Sequence, residues 1–168
     1  VMPGDTEDAT QDLATALAGL GKGDTMIAVS ASGSTPYTVA AARRAQAAGA
    51  TLGGIANNRD TALLALADHA VLLETPPEVL SGSTRMGAGT AQKIALNMLS
   101  TVMAVHLGHV HDGMMVNLHE DNIKLRAHAC GIVARIAEVS DATAQRALDA
   151  AGGDVKTAIL MIATGLER

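Results

Sequence analysis

Aromatic side chains are almost missing from this chain. It holds one tyrosine, Tyr37, and no phenylalanine or tryptophan, so aromatics make up 1% of its residues. Modules that read single-stranded nucleic acid stack bases on aromatic platforms, and this composition argues against them. Positive charge is scarce too. The 12 Lys and Arg against 17 Asp and Glu leave a net charge of −5, the wrong sign for a binder of phosphate backbones. The single cysteine, Cys130, excludes an internal disulfide and fits a reducing compartment. No apolar run reaches the length of a membrane span, and no basic-then-apolar leader opens the chain. A cytoplasmic protein with neither nucleic acid nor membrane as partner is the expectation.

What is plentiful is small and aliphatic. Hydrophobic residues make up 48% of the chain, so a core must be built from Ala, Leu, Val, Ile and the 8 Met. The 168 residues suffice for one domain with a sizeable core and a small appendage. Residues 7–18 read as a helix. Thr25 to Ser30 is a short apolar run of the kind buried in parallel sheets. Thr35 can cap a following helix, with Pro36 suited to its first position, and that helix runs to about Ala48. Thr51 to Ala56 is a second strand, Asp60 to Ala67 a helix, and His69 to Leu73 a third strand. This alternation predicts an α/β fold, a parallel sheet flanked by helices.

After Pro76-Pro77 the pattern becomes helical. Residues 84–107 form a long helix with Ile94, Met98, Val102 and Val105 at helical spacing, and 119–137 form another. The tail from Ser140 to Leu166 reads as two short helices capped by Ser140 or Asp141 and by Asp154, separated at Gly152-Gly153. The expected division is a domain over 1–118 and a C-terminal helical bundle over 119–168. A three-stranded sheet is small and Val1 is not a start methionine, so the chain reads as the later part of a longer α/β domain. One sheet edge is then supplied from elsewhere or left open. The Ala-, Met- and Leu-rich faces of 84–107 exceed what three strands can cover, which predicts a homodimer through that helix.

Two loops carry the chemistry. Ser30-Ala31-Ser32-Gly33-Ser34-Thr35 follows a strand and precedes a helix, and ligands bind at the carboxyl ends of parallel strands. Its hydroxyls and the free N–H groups of the helix start suit a phosphate. The second loop, Ser81 to Thr90, has the same character, with Ser83, Thr84, Arg85 and Lys93 close by. Two such loops point to a phosphosugar site. Glu78 is a carboxylate near it that could serve as general acid or base, bind a sugar hydroxyl, or lie in a subunit contact. His109-Val-His111 and His119-Glu120-Asp121 fit no familiar zinc spacing, so no metal is expected. The glycines at 49, 53 and 54 do not make a dinucleotide fingerprint.

The stretches Ser30-Ala-Ser-Gly-Ser-Thr-Pro-Tyr37, Pro77-Glu-Val-Leu-Ser-Gly-Ser-Thr-Arg-Met86, Ala88-Gly-Thr-Ala-Gln-Lys93 and Asn97-Met-Leu-Ser-Thr101 closely resemble N-acetylmuramic acid 6-phosphate etherases. Asn122-Ile-Lys-Leu125 and the helical tail are similar to that family as well. The resemblance implies the sugar isomerase (SIS) fold, which phosphosugar isomerases and the glucokinase regulatory protein share. It implies sites at subunit contacts and a phosphorylated amino sugar as ligand. It implies a lyase reaction without metal or organic cofactor: a base removes the C2 proton, lactate leaves C3, and water adds to the unsaturated aldehyde. The expected binding set, from the two loops and their neighbours, is Ser30, Ser32, Gly33, Ser34, Thr35, Glu78, Ser81, Ser83, Thr84, Arg85 and Lys93.

This chain departs from the family at two cations, having Ser34 where the family has Arg and Gly87 where it has Lys. The family's first phosphate loop and one of its two catalytic glutamates would precede Val1. For the other, Pro3-Gly-Asp-Thr-Glu-Asp8 is the matching text, with Glu7 the first candidate and Asp5 the second. Two readings follow: an etherase that needs a further half for chemistry, or a non-catalytic SIS-type phosphosugar-binding or regulatory module. A SIS-type isomerase is a third.

Overall fold

The computed structural model describes residues 10–118 and 123–166. They fall into two compact units, 1–98 and 99–168.

The first unit is a parallel α/β sheet with its helices. A short helix α1 (Leu13–Ala16) buries Leu13. It is followed by β1 (Thr25–Ser30), α2 (Pro36–Ala47), β2 (Thr51–Ala56), α3 (Ala62–Leu66) and β3 (His69–Leu72). The strands are parallel in the order β1-β2-β3, with Thr25 opposite Thr51 and Gly53 opposite His69. The predicted parallel sheet with flanking helices is therefore the fold. Both the first and second strands have the expected bounds.

Side-chain alternation explains the layering. Ala28 and Leu52 turn to one face, where Ala42 and Leu63 of the helices complete a small core with Met26, Leu66 and Ala67. On α2 the buried residues are Ala41, Ala42 and Ala45, so this helix lies close on the sheet. At Gly54 the approach is closer still. A Cβ there would lie 2.8 Å from the Ala67 Cβ and 3.2 Å from the Leu63 carbonyl oxygen, which only glycine avoids. Gly54 is thus a packing device. Asp68, just ahead of β3, extends the sheet by a side chain: its carboxylate accepts from the Leu52 N–H at 2.8 Å. The opposite face is poorly covered, leaving Ile27 and Val71 exposed while Ile55 is buried.

A long helix, α4 (Gly87–His106), runs from the first unit into the second. Thr90, Lys93, Asn97, Ser100 and Thr101 share one side of it and the large apolar residues the other, yet Ala88 is its only buried residue, and Ile94, Met98, Val102 and Val105 are each more than half exposed.

The second unit opens with a hairpin absent from the sequence reading, β4 (Val110–His111) and β5 (Met114–Met115), paired antiparallel. Asp112 and Gly113 form its turn, both at positive φ (47° and 75°), the geometry that Asp-Gly favours in two-residue hairpins. Then come α5 (Ile123–Ala137), α6 (Asp141–Ala150) and α7 (Val155–Thr164). Val116, Ala129, Ile132, Val133, Ala144, Leu148, Val155 and Ala158 form their core. The caps are as expected: Ser140 Oγ accepts from the Thr143 N–H at 3.3 Å, and Asp154 Oδ1 from the Thr157 N–H at 2.7 Å. Gly165 ends α7 in the left-handed conformation. Among the described residues no helix is long and apolar enough to cross a membrane.

Candidate functional site

The first Ser-rich loop leaves the carboxyl end of β1 at Ser30, which is buried. Its hydroxyl accepts from the Gly33 N–H at 3.0 Å and lies 2.9 Å from Thr35 Oγ1 and 3.3 Å from Ser32 Oγ. Ser32 Oγ in turn accepts from the N–H and the hydroxyl of Ser34, both at 3.2 Å. The four hydroxyls thus form one connected cluster. Gly33 makes the turn possible. Its φ is 68°, and a Cβ would fall 2.4 Å from Thr61 Oγ1. The Gly33 carbonyl accepts from the Leu63 N–H at 3.0 Å, which pins the loop to the start of α3.

Thr35 occupies the N-cap position of α2, but its hydroxyl faces Ser30 and makes no bond to the helix backbone. Pro36 at the first helical position has no N–H to satisfy. The next amides, of Tyr37 and Thr38, are left to point out of the helix start with its partial positive charge. Both residues line a pocket of about 630 Å³ together with Asp12, Val29, Ser30, Ala31, Ser32, Thr35, Thr84 and Gln92.

The second loop is organised by Glu78. Both of its carboxylate oxygens accept from the Gly87 N–H at 3.0 Å, and one also accepts from the Ala88 N–H at 3.0 Å. It is a remote cap for α4. The Gly87 N–H, then that of Ala88, hold this carboxyl below the usual glutamate range. Of the second loop, Thr84 reaches the pocket, while Ser81, Ser83, Arg85, Lys93 and Glu78 do not line it. Arg85 and Lys93 are exposed. From the first loop, Ser30, Ser32 and Thr35 line the pocket, whereas Gly33 and Ser34 buttress it. Glu7 and Asp5 lie outside the described residues, as do His119, Glu120 and Asp121. Among the described residues no three His, Cys, Asp or Glu side chains gather as a metal site would require.

Four polar pocket residues escaped the sequence reading: Asp12, Tyr37, Thr38 and Gln92. Tyr37 and Thr38 were within reach, since the first turn of a helix after a strand–Ser/Gly loop supplies the amides of an anion site. Gln92 depends on tertiary structure. It is half-buried, and its amide nitrogen donates to Asn57 Oδ1 at 2.7 Å.

A hydroxyl cluster, free helix amides and a pocket at the carboxyl ends of parallel strands suit a small anionic ligand. The SIS domain model matches residues 1–107. The chain belongs to the SIS domain family. The SIS region is also where the pocket lies. The chain is 47% identical over 163 residues to the N-acetylmuramic acid 6-phosphate etherase of Streptomyces avermitilis, covering 96% of this chain and 52% of that protein. Against the Deinococcus radiodurans protein of the same name, identity is 49%, with 88% of this chain and 48% of the relative covered. The Streptomyces coelicolor protein of that name is 49% identical over 83% of this chain and 45% of its own length. This chain thus spans about half the length of the curated relatives it matches. A solved Salmonella typhimurium structure at 20% identity and a TM-score of 0.41, covering 77% of this chain and 40% of that one, is too remote to add to this.

The Glu78 cap yields a pH signature. Because its folded pKa is depressed, the stabilisation is complete above the ordinary glutamate range and is lost as the pH falls through the lower folded value. Glu78→Gln is expected to lower the urea midpoint at pH 7, and the gap from the parent chain to close in acid. A gap that stays constant with pH would show that the charge does not hold the start of α4.

Proposed function

We propose that this SIS unit binds a phosphorylated amino sugar, with the phosphate on Ser30, Ser32, Thr35 and the free amides of α2, and the sugar toward Thr84 and α4. The observation that carries this is the hydroxyl cluster, which sits beside uncapped helix amides in one pocket. Hydroxyls and amides donate to phosphate oxygens without needing a cation, and the helix start adds favourable potential. In a protein of its relatives' length, the same site serves cleavage of the lactyl ether of N-acetylmuramic acid 6-phosphate to N-acetylglucosamine 6-phosphate and D-lactate. That activity is what the relatives' names support. The C2 proton is acidic only in the open-chain aldehyde, and a carboxylate must take it. Glu7 is our first candidate and Asp5 the second. The role would be one in cytoplasmic recycling of cell-wall sugars.

A second reading, a binding module without catalysis, is favoured by one observation. Among the described residues the pocket is lined by a single carboxylate, Asp12, and by no Lys or Arg. The D-lactate assay separates the two. The 168-residue chain alone is expected to release little D-lactate from N-acetylmuramic acid 6-phosphate. Extended to its relatives' length it is expected to turn over, with Glu7→Gln lowering the rate by about 10²–10⁴-fold and Asp5→Asn sparing it. An extended chain that binds sugar phosphate without releasing lactate would favour the binding module.

For the site itself, Ser32→Ala should weaken binding of N-acetylglucosamine 6-phosphate by about tenfold, the scale of one hydrogen bond to a charged group. Unchanged affinity in calorimetry would remove the loop from the site. We also propose a homodimer through α4, supported by its exposed Ile94, Met98, Val102 and Val105. Light scattering is expected to give twice the 17.0 kDa of one chain, and a monomer at micromolar concentration would count against it.

A further inference from the structure

The hydrogen-bonding sense of one pocket wall is set by atoms that lie outside the pocket. Asn57 follows β2 and is buried. Its side-chain nitrogen donates to the Leu73 carbonyl at 2.8 Å, and a carbonyl can only accept. That end of the amide is therefore the NH₂ group, and the other end, Oδ1, is an acceptor. Gln92 meets Oδ1 at 2.7 Å and must present its own NH₂ there. The order Leu73 carbonyl, Asn57 amide, Gln92 amide thus runs in one direction only. Turning either amide over would set oxygen against oxygen or nitrogen against nitrogen at a buried contact.

Besides the second N–H of its NH₂, Gln92 has the acceptor Oε1 left over, for which no partner is found among the described residues. Gln92 lines the same pocket as Ser30, Ser32 and Thr35. We propose that Gln92 Oε1 is a specificity determinant that accepts a hydrogen bond from a neutral donor of the ligand, a sugar hydroxyl or an acetamido N–H. This rests on the phosphosugar reading above and adds a direction to it. A phosphate or carboxylate brought to Gln92 Oε1 would meet lone pairs with lone pairs, because the amide cannot turn to put its NH₂ there. The oxyanion is thereby directed to the hydroxyl cluster, and the donor-bearing part of the sugar to α4. Asn57 is a positioning residue in this scheme and acts only through Gln92.

The test is calorimetry of the 168-residue chain and its Gln92→Met variant, which keeps the length of the side chain and removes the acceptor. The ligands are N-acetylglucosamine 6-phosphate, its mono-deoxy and N-methylacetamido analogues, and inorganic phosphate. For the parent chain, one analogue is expected to bind about fivefold more weakly than the full sugar phosphate, the scale of one neutral hydrogen bond. In Gln92→Met the full sugar phosphate should lose the same factor, that one analogue should lose nothing further, and inorganic phosphate should stay within about twofold. Equal losses for every ligand, inorganic phosphate included, would mean that Gln92 only supports the fold, and the proposal fails. A parent chain that binds all the analogues equally also overturns it, a result that needs no variant and stands even if Gln92→Met does not fold. A parent chain that binds neither sugar phosphate nor inorganic phosphate overturns the phosphosugar reading, and this inference with it.

Discussion

Asn57 gathers the carboxyl edge of the sheet into one piece. Its backbone N–H donates to the Ala31 carbonyl at 3.0 Å, its side-chain nitrogen to Leu73, and its side-chain oxygen accepts from Gln92. The segments after β1, β2 and β3 and the first turns of α4 therefore meet at one buried amide. Asn57 is buried and the two bonds of its side chain are half-buried, so losing one would leave a polar group poorly placed to find water. The Ser-rich loop depends on that edge. Ala31 is inside the loop, and the loop's hydroxyls share the pocket with Gln92.

The electrostatics of the pocket follow from what the edge excludes. Arg59, the cation nearest in sequence to Asn57, is engaged by both oxygens of Glu74 at 2.9 and 2.6 Å, and it does not line the pocket. Arg85 and Lys93 are exposed and do not line the pocket either. What remains for an anion is neutral: hydroxyl dipoles and the uncapped amides of α2. Such donors act by direction and distance, so their effect falls away within a single turn of helix and discriminates by geometry more than by charge.

Local patterns made the α/β half legible. The apolar runs at 25–30 and 51–56, bracketed by glycine and polar turns, gave both strands to the residue, and Ser140 and Asp154 announced the starts of α6 and α7. The Ser-rich loop was readable because strand, glycine and helix cap are adjacent in sequence. Other features were not readable because their causes are not local. Glu78 spends both oxygens on amides nine and ten residues away, which no spacing rule suggests. Gln92 and Asp12 reach the pocket through the packing of elements far apart in the chain. The β4–β5 hairpin is the exception, a local signal overlooked: Asp112-Gly113 is a strong turn pair, but two-residue strands offer too little alternation beside it. Thr35 was expected to cap α2 with its hydroxyl. Its partner proved to be Ser30, because the hydroxyl cluster competes for the same oxygen.

Gly54 lies in the middle of β2 and carries no functional group, yet it determines how near α3 can lie to the sheet. Helix α3 is capped by Thr61, which fills the space beneath Gly33, and its Leu63 N–H holds the Gly33 carbonyl. A methyl group added at Gly54 would lever α3 outward and lift the floor from under the Ser-rich loop. The shape of the pocket is therefore inherited from a position that never touches a ligand.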